Sequence, residues 1–587
     1  MNRSIGFRFR CVATLAVLAC LPQSVYAEPD VLRLLPPEAF GFVYVQNPSE
    51  ISKELEDIGI ELGVALPKLL DVARSVAGIE EGFDAGKELV LGASSPAQPG
   101  QQPQPFALVP VSDYATFVAS FLPPEQADSS GIKQITMGGS QLLCAERSGY
   151  ALLVDAGNGP LIDKLLSDAP RVNPNLDALF DDMPDHDVAL VVLQPGVQYA
   201  LDTVIDSIEQ VMARLEAIGE DVPEQLEAGR AFISLYLDCL RVFRSDTLLV
   251  GAGLSIDDQH NTLFVKRILL KPDGRMSRVF AAKASADEKP LTKLVNQPFV
   301  LAAALSLPKE WAASMANLSL RMLELSSPLY GTNELSDADR QKMRDAYEAT
   351  MEGIESIAVT VGSGQPGDPL YGNVQAVMRV RNASAYLTKY EEALAVLNQL
   401  WQTAGGMLDV SYEAERVAQS NLEGLKITIG MSADSLGEAS AEINAMFEKM
   451  FGPGGKMISY LLKVDDRTCL WVMVPESELQ NAVEQYRNNP EGLQQPARLS
   501  QTGRMLTPDA AVRVYISPAG VVRFAQRAAK ELADADLPIP GFPACPPVGL
   551  SMAWDAGYLE FRMAVPGKVF RAVGEFAEDM RSGAVQP

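Results

Sequence analysis

The chain predicts an α+β fold: tandem repeated units of mixed or antiparallel sheet with packed helices, each in the order strand, helix, hairpin, helix. Three observations carry this. A strand-like phrase recurs four times, a hairpin-like phrase follows each copy, and helical periodicity fills the stretches between them.

The first phrase is LPPEAFGFVYVQ at 35–46, and it returns as LTPDAAVRVYIS at 506–517. A third copy, MPDHDVALVVLQ at 183–194, aligns without gaps and sets Pro184 on Pro36, Val191 on Val43 and Gln194 on Gln46. The fourth is VNQPFVLAAALS at 295–306, followed by Pro308 where the first copy has Pro48. Each is an apolar, β-rich run ended by Asn, Pro or Gly, the pattern of a buried strand with a turn after it. After the copy at 183–194, Val204, Ile208, Val211, Met212 and Leu215 recur at three- and four-residue spacing, one apolar face of a helix.

The hairpins begin with ELVLGASS, DTLLVGAGLSI, SIAVTVGSG and PPVGLSMAWD and return through PFALVPV, NTLFVKRILL, NVQAVMRVR and YLEFRMAV. A helix is expected after each return strand, starting near Ser112, Ser277, Asn382 and Pro566, residue types favoured at helix starts. Two of the four hairpins are joined by loops rich in Pro, Gln and Gly, at 93–105 and 362–373. Those two units also continue into extra strands: KQITM, SQLLCAE and GYALLVD in one, GLKITIGM, MISYLLKV and TCLWVMV in the other. The units are therefore placed at 28–182 (long), 183–293 (short), 294–504 (long) and 505–587 (short), an order that implies two successive duplications. The period exceeds that of solenoid repeats, so each unit is expected to carry its own small sheet, and a ferredoxin-like arrangement fits.

Residues 1–27 have the form of a secretory signal: basic Arg3, Arg8 and Arg10, an apolar run over 11–21, and small residues at Val25 and Ala27. Cleavage is expected after Ala27. A competing pattern, Val17-Leu18-Ala19-Cys20, resembles a lipoprotein box that would leave a lipidated Cys20. No other stretch is long and apolar enough for a transmembrane segment, so a periplasmic or extracellular location is expected. With 49 basic and 75 acidic residues the net charge is −26, which repels phosphate backbones and disfavours a nucleic-acid partner. Cys144, Cys239, Cys469 and Cys545 are dispersed; they read equally as disulfide partners of unknown connectivity or as small buried apolar residues.

The usual catalytic signatures are missing. His260 lies in SIDDQHN and reads as a solvated turn histidine; His186 sits just before a strand, at the place of Glu38 and Asp509 in the other copies. The acidic run DDMPDHD at 181–187 lacks the spacing of a calcium loop and reads as a charged turn. FGPGGKM at 451–457 lacks the leading Gly and the Ser/Thr of a phosphate loop and reads as a helix-ending turn. Tyr386, Tyr390 and Trp401 share a helix with Leu387, Leu394 and Leu397 at core spacing. No catalytic, cofactor-binding or metal-ligating residue is assigned, and no cofactor.

This layout resembles large exported bacterial repeat proteins of the planctomycete type, which pair a signal peptide with L-P-x-[DE]-[AT] strand openings and Gly-led hairpins. The resemblance implies export and repetition, and no activity or catalytic residue. The expectation is an exported, non-catalytic envelope protein with a binding or structural role toward a protein or envelope component. A secreted hydrolase using carboxylates between units, and a lipid-anchored periplasmic assembly factor, are the alternatives.

Overall fold

The computed structural model describes residues 30–583, apart from 37, 67, 80, 97–101, 128–130, 168–175, 177–185, 217–223, 283–290, 292–293, 295–297, 307, 312, 319–335, 365–366, 405–408, 420, 435–439, 475 and 489–498. The expected signal segment with Cys20, and Asp181 to Asp185 of the acidic run, lie outside the described residues.

The strands of the first half are β1 (Ala39–Val45), β2 (Leu89–Ser94), β3 (Gln104–Pro110), β4 (Lys133–Met137), β5 (Ser140–Arg147), β6 (Tyr150–Asp155), β7 (Val188–Leu193), β8 (Thr247–Ile256) and β9 (Thr262–Leu270). Those of the second are β10 (Phe299–Ser306), β11 (Ile354–Gly362), β12 (Val374–Val380), β13 (Asp409–Gln419), β14 (Leu422–Ser432), β15 (Lys456–Asp465), β16 (Thr468–Met473), β17 (Val512–Ile516), β18 (Val548–Asp555) and β19 (Tyr558–Val565). All 19 join one sheet in which every pairing is antiparallel. The α+β class is as expected, but the units do not keep separate sheets.

The reason is in the edges. Along the sheet the first half runs β4-β5-β6-β3-β2-β1-β7-β8-β9, and the second runs β14-β15-β16-β12-β11-β10-β17-β18-β19 with β13 added outside β14. The recurring first strands pair with each other, β1 with β7 and β10 with β17, and the return strands β9 and β19 pair across the middle. The inner edges β1, β7, β9, β10, β17 and β19 are thereby used, and β4 and β13 are left as the two outer edges, which shortens the aggregation-prone rows of unpaired backbone groups.

The unit order also differs from a ferredoxin-like one, in which the return strand would lie beside the first strand. Here β1 pairs directly with β2, the outgoing strand of the hairpin. Two helices, Pro48–Glu61 and Leu69–Ala77, connect them, and a second helix brings the chain back so that β2 enters antiparallel to β1. The helices Gln194–Glu216 and Glu224–Asp246 do the same between β7 and β8. Helix starts follow local chemistry: Asn47 Oδ1 accepts from Glu50 N at 3.2 Å, and Ser517 Oγ from Gly520 N at 3.1 Å, each worth about 1 kcal/mol. Gly196 and Gly520 open equivalent helices, where a Cβ would overlap the backbone of Phe40 and Phe299.

Registers define which residues correspond. Both β1 and β10 carry a bulge at the same place, between Ala39 and Gly41 and between Phe299 and Leu301, so Phe42 corresponds to Ala302. They also correct the gapless alignment of the first and third phrases. Val43 faces Leu190 and Phe42 faces Val191, so Val191 shares the face of Phe42 and not of Val43. A slip of one residue turns every side chain to the other face. Tyr44 and Tyr515, which the opening and closing phrases align, are both buried.

Two large apolar cores lie on one face of the sheet, one per half, around Leu108 and Leu152 and around Tyr460 and Leu470. On the opposite face, smaller cores sit near the two ends, around Phe117 and Cys144 and around Tyr386 and Cys469. The Tyr386–Leu394 stripe is core, as its spacing predicts. The middle of that opposite face is open, with Leu91, Leu190, Phe264, Phe561 and Met563 exposed. The last helix, Gly567–Gly583, crosses back to the first unit, where Phe570 joins Ile51 and Ile58 and Arg571 meets Glu61 at 3.0 Å.

Candidate functional site

Two buried polar regions stand out on the core face, and each is best seen against its counterpart in the other half. Directly opposed residues form a row across the first half: Leu143, Val154, Phe106, Gly92, Phe42, Val191, Gly251, Arg267 and then Glu560. The corresponding row of the second half is Tyr460, Val472, Gln375, Thr360, Ala302, Tyr515, Gly549, Ala564 and then Leu263.

The rows exchange polarity along their length. Near the middle of the sheet the first row ends on the ion pair Arg267–Glu560, with both side chains almost wholly buried, whereas the second ends on Ala564 and Leu263. Glu560 also accepts from Arg562 Nε at 2.8 Å and from Thr507 Oγ1 at 2.7 Å. Burial opposes its ionisation, but the Arg562 charge and the hydrogen bonds from Thr507 and Arg267 hold its carboxyl below the usual range. His186 is beside this cluster, its ring against Gly253 and its Nδ1 3.2 Å from Ser255 Oγ, while Nε2 has no hydrogen-bond partner among the described residues. Burial first, then the Arg562 and Arg267 charges, push its pKa down to about 4, so it is neutral at pH 7.

Toward the outer end the exchange reverses. Phe106 covers Gly92, where a Cβ would overlap its ring, and the first half is filled there. The second half has Gln375 and Thr360 at those two positions and an open cavity of about 820 Å³. Gln375 lines the cavity and is 6% exposed, and its side chain makes no hydrogen bond with a described residue. The hydroxyl of Thr360 is buried without a hydrogen-bond partner among the described residues, and that of Tyr460, at the far end of the row, is buried near the Glu476 carboxylate. The Tyr460 pKa is pushed up to about 12, by burial and then by nearby Glu476. An unpaired buried polar group costs about 1–3 kcal/mol, a cost that Thr360 carries and its counterpart Gly92 does not.

The walls come from two repeats. The hairpin loop after β11 supplies Ser363, Gly364 and Asp368; the helix Glu476–Asn488 supplies Glu478, Asn481 and Gln485; the helix Pro518–Ala533 supplies Arg523, Gln526, Arg527, Lys530 and Glu531. Arg527 locks the loop to that last helix. Its guanidinium donates to Ser363 O at 3.0 Å, to Pro369 O at 2.8 Å and to Asp368 O. Gly364, at φ +66, allows this seat, because a Cβ there would overlap the guanidinium. Burial lowers the Arg527 pKa, against the pull of Asp368 and Glu531.

The residues weighed from sequence lie elsewhere. His260 does occupy the turn of the β8–β9 hairpin, at φ +58, but it is half-buried and its Nδ1 lies 3.2 Å from Glu61 Oε1, so it is not a solvated histidine. The glycines of 451–457 end the helix Ser440–Phe451, with Gly452, Gly454 and Gly455 all at positive φ. The four cysteines of the described chain are free thiols: Cys144 and Cys469 buried, Cys545 half-buried and Cys239 exposed. Among the described residues no group of three or more His, Cys, Asp or Glu is placed to hold a metal ion, and no helix is long and apolar enough to cross a membrane. Gln375 went unnoticed in the sequence, although its signal is there: NVQAVMRV and PFALVPV are matching strands, and Gln375 stands where Phe106 does.

Compared with protein-family models, with curated proteins and with solved structures, the chain matches none.

Proposed function

We propose that the chain is an exported, non-catalytic binding protein of a bacterial envelope whose ligand occupies the cavity between the third and fourth repeats. One observation carries this reading. At a position where the first half is closed by Phe106 over Gly92, the second half sets the little-exposed Gln375 against open space, its side chain making no hydrogen bond with a described residue. A closed apolar solution exists in the same fold, so the polar one is retained for something other than folding. Export is supported by the pattern of residues 1–27 and by the likeness to exported repeat proteins, and the net charge of −26 argues against nucleic acid as the partner.

The test has two readouts on the chain recovered from the envelope fraction of its host. Native mass spectrometry should find a bound small molecule that is missing from a Gln375→Phe/Thr360→Gly variant. An identical spectrum from both proteins contradicts the reading. The intact mass should correspond to a chain beginning at Glu28; an acylated Cys20 would favour the lipid-anchored assembly factor instead.

The hydrolase reading keeps one observation in its favour: Asp368 and Glu478 from one repeat and Glu531 from the next gather at this cavity. Two of these are engaged, Asp368 with Asn373 Nδ2 at 3.3 Å and Glu531 with Gly367 N at 3.2 Å. Turnover of the bound molecule that is lost in Glu478→Gln would favour it over simple binding.

A further inference from the structure

The charged groups around the cavity divide into those already engaged and those left over. Arg527 is held by three carbonyls, Lys530 by Asp534 at 3.1 Å and Asp536 at 3.3 Å, and Asp368 and Glu531 by the bonds given above. Arg523 and Glu478 make no ion pair or hydrogen bond with a described residue. They have opposite signs and stand on different walls, Arg523 on the helix Pro518–Ala533 and Glu478 on the helix Glu476–Asn488. The other lining groups left over are amides: the side chains of Gln375, Asn481 and Gln485, none hydrogen-bonded to a described residue.

Resting on the binding reading above, the geometry points to a short peptide with free termini as the ligand, its carboxylate toward Arg523, its ammonium toward Glu478, and its backbone on the amides. A carboxylate pairs with a guanidinium fork and an ammonium with a carboxylate. A primary amide presents both a donor and an acceptor, which is what a peptide group needs on each side. Among the described residues the cavity lining holds no aromatic side chain to serve as a stacking platform for a sugar ring or a nucleobase. A volume of about 820 Å³ lies within the range of small-ligand sites and suits two to four residues.

Affinity selection with mass-spectrometric readout tests this on the purified mature chain, using an equimolar library of unmodified tripeptides and the same library N-acetylated or C-amidated. Members of the unmodified library should be retained, and each cap should lower retention at least tenfold. Glu478→Ala should erase the penalty of acetylation alone, and Arg523→Ala that of amidation alone. These two residues are exposed, so both variants should fold. Equal retention of capped and free peptides by the wild type, lost in Gln375→Phe/Thr360→Gly, would overturn the terminal recognition and leave the binding cavity standing. Retention of no peptide would overturn the ligand class, whether or not a small molecule is carried from the envelope.

Discussion

The two halves of the sheet solve one packing problem in two ways. In the first, Phe106 lies over Gly92 and the outer core is closed, while the inner end of the row carries the buried Arg267–Glu560 pair. In the second, the inner end is Ala564 against Leu263 and the outer end holds Gln375, Thr360 and Tyr460 beside a cavity. Because the pairings along the row match strand for strand, the difference along it belongs to side chains. It teaches that a duplicated fold supplies its own control: wherever one copy is apolar and closed, the polar choice in the other is not demanded by the backbone.

The largest effect is expected at the ion pair. Glu560→Leu leaves Arg267 and Arg562 without their carboxylate and should lower stability by about 3–5 kcal/mol, read as a fall in the urea midpoint. Adding Arg267→Ala, which copies the Ala564–Leu263 pair, should recover more than half of that loss. No recovery would mean that the two row ends are not interchangeable.

The next effect depends on pH. His186 is neutral in the fold with a pKa of about 4, against about 6.5 when unfolded, so the unfolded chain binds the extra proton. Stability contributed this way is full above pH 6.5 and is lost as pH falls toward 4. At pH 5 the wild type should have lost about 2 kcal/mol that a His186→Gln variant does not lose. Parallel urea midpoints for the two proteins between pH 7 and pH 5 would show that burial of His186 is not what the structure implies.

A smaller effect separates backbone strain from the seat of Arg527. Gly364 and Gly367 are both at positive φ, +66 and +89, but a Cβ at Gly367 meets nothing within 4 Å. Each Gly→Ala change should cost about 1–2 kcal/mol for the left-handed backbone. Only Gly364→Ala should also displace Arg527 and weaken retention of the library. Equal ligand loss in both would place the cause in the loop and not in the arginine.

Much of the fold was legible because strands at a repeat leave a period-two signature. The four first strands and the four hairpins were found where they are, and so were the helices after β3, β9, β12 and β19. The strand β13 was not found, because Asp409, Glu413, Glu415 and Arg416 dilute its apolar content at the outer edge of the sheet. The merging of units into one sheet was invisible, since pairing of β9 with β19 depends on residues far apart in the chain and leaves no local mark. The cavity was hidden for the same reason: Gly364 and Arg527 have no reason to be read together until the fold brings them into contact. Gln375 alone was within reach, as an inward amide in a strand whose twin has Phe106.

The most direct test of the central claim is a double-mutant cycle at the polar pair. Thr360→Gly alone should cost about 1 kcal/mol in backbone freedom, and Gln375→Phe alone should be destabilising because the ring meets the Thr360 side chain as it would a Cβ at Gly92. Together they should stabilise the chain by about 1 kcal/mol, since a Phe is buried and two polar groups leave the interior. Additive losses, with the double variant the least stable of the four proteins, would mean that Gln375 and Thr360 serve folding, and the case for a retained ligand site would be gone.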